Sequence, residues 1–321
     1  IAIRRGPMKV PTTGTSVFTP LTRNGTGGAT TVTSTVRPDT VLQNWRSGGL
    51  TSANHFMYDR LRGVARAIFT DNTDSESSET ASGINAFNNL SYGMAGAGQM
   101  NNGSALYADY VFTRAPGFFD EICYTGDGTF GRLLNHNLAA VPELIIFKTR
   151  STTVDWVVWQ PDLGGTFPGS VNYLWLNQDV ARQTAYQPME GAPTPTQINV
   201  RPSSAGNAAG TNYVAYLFAS CPGVSKVGSY TGTGATQVIN CGFTAGARFV
   251  LIKATSTTGN WMVWDSARGI VAGNDPYLLL NSTAAEVTNT DWVDTAATGF
   301  ELSNAGGNLA NSNGVSYIFL C

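Results

Sequence analysis

Two copies of one short polar pattern are the first residues able to do chemistry. Asp59, Arg62 and Gly63 form an Asp-x-x-Arg-Gly element, and Asp265, Arg268 and Gly269 form it again, each directly after an aromatic stretch. A carboxylate and a guanidinium beside a ring, as Asp265 and Arg268 stand beside Trp264, can hold a sugar: the ring stacks and the charges take hydroxyls. The same pair can instead bond to itself and pin a turn. The structural reading is the stronger, because an element duplicated at one place in a repeat belongs to the fold's own wiring. Between the copies, Gln160-Pro161-Asp162-Leu163-Gly164 occupies the corresponding position and lacks the arginine.

Other reactive types are sparse. Asp71, Asp74 and Glu76 cluster, with Glu76 roughly aligned to Glu286. Paired carboxylates serve glycosidases and alternating oxygens suit Ca²⁺, but this loop occurs once and matches no EF-hand spacing, so a solvated loop is expected. The two histidines, His55 and His136, sit beside asparagines without a Gly-x-Ser-x-Gly elbow, which makes them surface or loop residues. Cys123, Cys221, Cys241 and Cys321 are widely spaced with no Cys-x-x-Cys pair. No zinc site is expected, and buried free thiols are the main reading, with Cys221 and Cys241 the pair that can meet across strands. No catalytic residue, metal or cofactor is therefore assigned, and the chain is not read as an enzyme.

The elements that position these residues repeat. Tyr124-Thr125-Gly126-Asp127-Gly128 answers Tyr230-Thr231-Gly232-Thr233-Gly234 at an offset of 106. Leu144–Lys148 answers Phe249–Lys253, and Asp155–Trp159 answers Asn260–Trp264, at 105; Tyr173–Asn177 answers Tyr277–Asn281 at 104. A weaker copy lies upstream, where Arg37–Leu42 matches Val141–Ile146 and Asn54–Asp59 matches Asn260–Asp265. The apolar runs are four to six residues long, rich in Val, Ile, Phe, Tyr and Trp, and cut by Gly, Asn, Thr, Ser and Pro. That is strand grammar without a helical period. Gln99–Ser104 and Asn304–Asn308 read as tight hairpin turns. The predicted architecture is all-β: three antiparallel β-sandwich units in a row, at 26–117, 124–223 and 230–321, after an N-terminal arm over 1–25. Two tryptophans three apart in a strand face opposite ways, so of Trp261 and Trp264 one is expected in the core and the other outward.

Composition narrows the function. Only 12% of the 321 residues are charged and the formal charge is −2, which excludes the electrostatic footprint of a nucleic-acid or anionic-membrane binder. No apolar run of membrane-spanning length and no signal-peptide core is present, implying a soluble protein. Because the sequence opens at Ile1 rather than Met and stops at Cys321 after an apolar run, neither end is taken as a boundary of the protein. Arg4, Arg5 and Lys9 can dock the arm on an acidic neighbour.

The runs Tyr230–Gly234, Cys241–Lys253, Gly259–Ile270 and Asp275–Glu286, with the opening Arg4–Lys9 and Thr15–Phe18, resemble a repeat of uncharacterised virion proteins of tailed bacteriophages, notably tail fibre and tail structural proteins of phages from aquatic bacteria. The resemblance covers nearly the whole chain. It implies a concanavalin A-like or jelly-roll-like sandwich and a tail fibre or spike component of the virion, made in the host cytoplasm. It further implies partners among other tail proteins and itself, as a homo-oligomer such as a trimer, and recognition of host cell-surface polysaccharide. Asp59, Arg62, Trp264, Asp265 and Arg268 are then the glycan candidates. A purely structural virion component is the alternative. A polysaccharide depolymerase is the third reading, and no acidic pair carries the signature it needs.

Overall fold

The computed structural model describes residues 9–184 and 188–321. Arg4 and Arg5 lie outside the described residues. The chain is all-β, with short 3-10 turns at Gly14–Ser16 and Pro161–Leu163. Among the described residues no helix is long and apolar enough to cross a membrane.

One strand order recurs in three groups of sheets. In the second group, a sheet of five strands runs Phe119–Thr125, Asn212–Phe218, Leu144–Thr149, Val157–Trp159 and Leu174–Trp175 from edge to edge. A three-stranded sheet, Arg132–Asn135, Gln197–Val200 and Met189–Gly191, faces it. The third group repeats this with Val227–Thr231, Ser316–Leu320, Phe249–Ala254, Trp261–Asp265 and Leu278–Leu279, faced by Gln237–Asn240, Gly299–Leu302 and Val293–Ala296. In the first group the order is Phe18–Asn24, Leu106–Phe112, Thr40–Ser47, Phe56–Asp59 and Arg66–Phe69, with Ser77–Ser78 added at the edge. Its small sheet is Thr30–Thr33, Ser91–Met94 and Ile84–Phe87. The arm read from the sequence is thus shorter than 25 residues, since Phe18–Asn24 pairs in full with Leu106–Phe112.

Each group has its own core between the large and small sheets. In the second it joins Ile145, Phe147 and Leu217 to Leu134 and Ile198; in the third, Val250, Ile252 and Phe319 to Phe300 and Leu302; in the first, Val41 and Tyr107 to Tyr92 and Ile84. The opposite faces of the large sheets do not meet water. They converge on one further core that takes Leu42, Met57 and Tyr110 from the first group, Ile146, Trp156 and Tyr216 from the second, and Leu251, Trp261 and Leu320 from the third. Period-two alternation explains the unbroken apolar runs: in Leu144–Thr149, Leu144 and Ile146 feed the shared core while Ile145 and Phe147 feed the local one. The units expected in a row are therefore gathered around a common centre. A chain of separate sandwiches would leave these second faces in water, which their apolar residues disfavour.

Trp261 and Trp264 do point to opposite faces, and both faces are buried: Trp261 enters the shared core and Trp264 the local one. The Gly-rich starts of the groups also have a packing cause. A Cβ on Gly126 or Gly232 would lie 2.1 Å from the carbonyl oxygen of Ala208 or 2.3 Å from that of Ser312, so only glycine admits the close approach. The turn segments read as simple hairpins hold structural asparagines: buried Asn101 accepts the Thr26 backbone N–H at 3.0 Å, and buried Asn308 donates from Nδ2 to the carbonyls of Trp292 and Ser303, each at 3.0 Å.

Candidate functional site

The contacts between groups run in a ring. The indole Nε1 of Trp156 in the second group donates to the Phe69 carbonyl of the first at 2.7 Å, and that of Trp261 in the third donates to Trp175 of the second at 2.8 Å. At the corresponding place in the first group stands His55, whose Nε2 lies 2.8 Å from the Ser282 carbonyl of the third. Of the two places expected for it, His55 takes the loop, just before Phe56–Asp59, and not the surface: it is fully buried and fills a tryptophan position aimed at the neighbouring group. Burial lowers its pKa to about 4, so it is neutral at physiological pH. His136 is buried as well. Lys148 reaches from the second group to the Thr73 carbonyl at 2.8 Å, and Lys253 from the third to that of Val180 at 2.9 Å. Burial pulls both amines down to about 8.

The glycan candidates sit within this ring. Asp59 accepts the Arg62 backbone N–H at 2.7 Å and the Arg62 Nε on its other oxygen, and Tyr216 of the second group donates to that same oxygen at 2.7 Å. Arg62 Nη1 reaches Glu76 at 3.2 Å, and Glu76 takes Arg150 of the second group on both oxygens at 2.9 and 3.0 Å. The second copy reproduces the set. Asp265 binds Arg268 Nε at 2.5 Å and Tyr110 of the first group at 2.9 Å, while Glu286 joins Arg268 at 3.0 Å to Arg46 of the first group at 2.9 Å. Burial works against both arginine charges, yet the surrounding carboxylates and tyrosines hold the Arg62 and Arg268 pKa values above an arginine's ordinary one.

The Arg62 and Arg268 side chains have no exposed surface, and Asp59, Asp265 and Trp264 are equally buried. All five offer no face to a glycan, because every polar atom of the Asp–Arg pairs is turned toward another part of the chain. The loop around Glu76 is likewise no free cation loop, since Glu76 belongs to the ion-pair set. Sequence reasoning missed Tyr110, Tyr216, Arg46 and Arg150. Their signal lay in the offsets: Arg46 and Arg150 stand 104 apart and Tyr110 and Tyr216 106 apart, at matching places in the recurring strands.

The four cysteines are free, and Cys221 and Cys241 fall in different cores, so they do not pair. One oxygen set suits a hard cation among the described residues: carboxylate atoms of Asp275, Asp291 and Asp294 lie within 4.8 Å of one another. Burial, with these like charges nearby, raises Asp275 to about 7, although it accepts backbone N–H groups from Val271 and Val293.

The family described as "Domain of unknown function (DUF7483)" matches residues 13–321. The chain belongs to this family. No curated protein matches it. The family's description assigns no activity, so function has to be argued from the buried polar sets and the surface they leave.

Proposed function

We propose that the chain is a structural component of a bacteriophage tail, of fibre or spike type, whose outer surface contributes to recognition of host polysaccharide. The observation that carries the reading is the use of the recurring polar elements: the Asp-x-x-Arg pairs, the indoles and the buried lysines hold three groups of sheets to a single centre. This is the design of a rigid body rather than of a catalytic cleft. The low charge and Thr-, Asn- and Gly-rich strands support the same reading, as does the likeness to tail repeats. Exposed Leu133 and Val238 on the outer sheets, with Phe130 in the turn before Arg132–Asn135, provide apolar contacts for neighbouring subunits or other tail proteins.

The burial of Asp59, Arg62, Trp264, Asp265 and Arg268 favours the second reading, a purely structural tail component without a receptor, and moves any glycan contact to other residues. Antibody labelling of intact phage in electron micrographs, paired with binding of the purified protein to host cells before and after removal of surface polysaccharide, separates the two. Tail labelling with saturable, polysaccharide-dependent binding is expected. Labelled tails without cell binding leave the structural role alone, and unlabelled particles sink both.

A further inference from the structure

The local cores of the three groups are not filled alike. In the third, Trp264, Tyr277 and Trp292 form a row of rings, with successive centroids 5.5 and 5.1 Å apart. The second keeps the first two of these as Trp159 and Tyr173, both buried. In the first group the strand registers put Tyr58, Ala67 and Gly83 at the three positions. Ala67 pairs with Ser77 as Tyr277 does with Val287, and the Gly83 carbonyl takes the Ala95 N–H as the Trp292 carbonyl takes that of Ser303. The rings that cover Trp264 thus have no counterpart over Tyr58. A cavity of about 280 Å³ remains beside it, lined entirely by residues between 54 and 100.

One wall of this cavity is aromatic. Phe56 meets Phe69 edge-on at 4.9 Å and lies 6.1 Å from the near-parallel ring of Tyr58, centroid to centroid. The other wall is polar and mixes donors with acceptors. The Tyr58 hydroxyl, on a residue only 1% exposed, has no hydrogen-bond partner among the described residues. Glu79 converges on it, and Gly83 permits the approach: a Cβ there would lie 2.9 Å from the Tyr58 oxygen and 2.7 Å from the Glu79 Cβ. Hydroxyls of Ser77 at 2.7 Å and Ser82 at 3.2 Å hold the Glu79 carboxylate in place. The side-chain amides of Asn54 and Gln99 complete the rim, Gln99 accepting the Asn54 backbone N–H at 3.2 Å. No basic residue lines the cavity, so nothing there would balance an anion. A buried hydroxyl without a partner is costly to a fold, and a ligand hydroxyl entering the cavity removes that cost.

We infer that this cavity binds one neutral pyranose unit, its C–H face on the phenylalanines and its hydroxyls shared among Tyr58, Glu79 and the two amides. A pyranose offers that combination of an apolar face and adjacent donor–acceptor groups, whereas an acidic sugar would meet Glu79 with no cation beside it. The inference deepens the polysaccharide reading and rests on it for the source of the sugar. The probes are methyl β-D-glucopyranoside, methyl β-D-galactopyranoside and methyl α-D-mannopyranoside, titrated by NMR into the full chain isotope-labelled at the methionine methyls. The control is tetrahydropyran-2-methanol, the ring without its secondary hydroxyls. Met100 lines the cavity, while Met189 and Met262 belong to the other groups. At least one glycoside is expected to shift the Met100 signal saturably, with a Kd of about 10 mM or tighter and with Met189 and Met262 unmoved, and the control to bind at least about fivefold more weakly. Tyr58→Phe is expected to weaken the sugar about fivefold while unfolding no earlier than wild type, since it removes a hydroxyl that bonds to nothing in the fold. Absence of a Met100 shift in folded wild-type protein up to about 100 mM of each glycoside overturns the inference. A control that binds as tightly as the sugars, or a folded Tyr58→Phe of full affinity, overturns it equally, and the wild-type titration decides should Tyr58→Phe fold poorly. Glycoside binding without polysaccharide-dependent cell binding upholds the site and sinks the polysaccharide reading, whereas cell binding without a Met100 shift does the reverse.

Discussion

Among the described residues, two junctions of the ring are ionic and the third is not. Where the first group meets the second, Asp59, Arg62, Glu76, Arg150 and Tyr216 form one connected set, and where the third meets the first, Asp265, Arg268, Glu286, Arg46 and Tyr110 form its copy. Where the second meets the third, the same five positions read Gln160, Leu163, Arg182, Thr255 and Leu320. There Leu163 and Leu320 are packed in the shared core, and Gln160 bonds to Asp162 in its own turn. The backbone contact is kept in all three: Glu76, Arg182 and Glu286 each donate their N–H, at 2.8 Å, to the carbonyls of Arg150, Thr255 and Arg46 respectively. The comparison teaches that the side chains change as a set. A buried carboxylate without its arginine is an uncompensated charge, whereas replacing the whole set by apolar groups of similar shape is close to neutral.

The most severe way to break the comparison is a single exchange. Arg62→Leu installs the apolar junction's residue while leaving Asp59 and Glu76 buried, and a loss of about 3–5 kcal/mol in urea unfolding is expected. Completing the set with Asp59→Gln, Glu76→Arg, Arg150→Thr and Tyr216→Leu should return most of that loss. A five-fold variant no more stable than Arg62→Leu alone would show that the junctions are not interchangeable. Next in size is Tyr216→Phe, which removes one hydrogen bond to Asp59 and should cost about 1.5–3 kcal/mol, while Leu320→Ile in the apolar junction should cost less than about 1.5 kcal/mol.

Glu121 sharpens the comparison through pH. It is fully buried in the first ionic junction, where Thr40 donates to one of its oxygens and the other has no partner. Burial, and then the nearby Asp59 charge, raise its pKa well above the carboxylate range. The unfolded chain therefore loses this proton near pH 4.3 while the folded chain keeps it, so stability falls as pH rises beyond that point. Glu121→Gln keeps the shape and should remove that slope, giving equal melting temperatures at pH 4 and a variant several degrees more stable at pH 8. The smallest effect is expected from Arg150→Ala, since that side chain is 23% exposed and its pair with Glu76 is partly screened. A loss of about 1 kcal/mol or less, shrinking in high salt, is the outcome to check.

Much of this was legible in the residue order. The local part of the site, an acid and an arginine three apart closing a turn after an aromatic strand, reads directly from Asp59 to Gly63 because both partners lie in one stretch of chain. Tyr216 did not, because it comes from a strand 157 residues away and its hydroxyl has no local reason to seek Asp59. The burial of His55 was hidden for a related cause: its asparagine neighbours favour the loop in which it lies, and only the neighbouring group, supplying the Ser282 carbonyl, makes burial of an imidazole tolerable.

Short runs of branched and aromatic residues between turn formers, recurring at a spacing of about 105, suffice for strands and the all-β class, since these follow from local preference and period-two burial. What surrounds the second face of each large sheet is not written in any one run. An apolar face looks the same in sequence whether it meets a partner chain, a ligand or its own relative 105 residues on. Only closure of the ring buried Trp156 and Trp261 and put the Asp–Arg pairs out of reach of solvent. Those outcomes depend on contacts between distant segments, which local chemistry permits and tertiary packing selects.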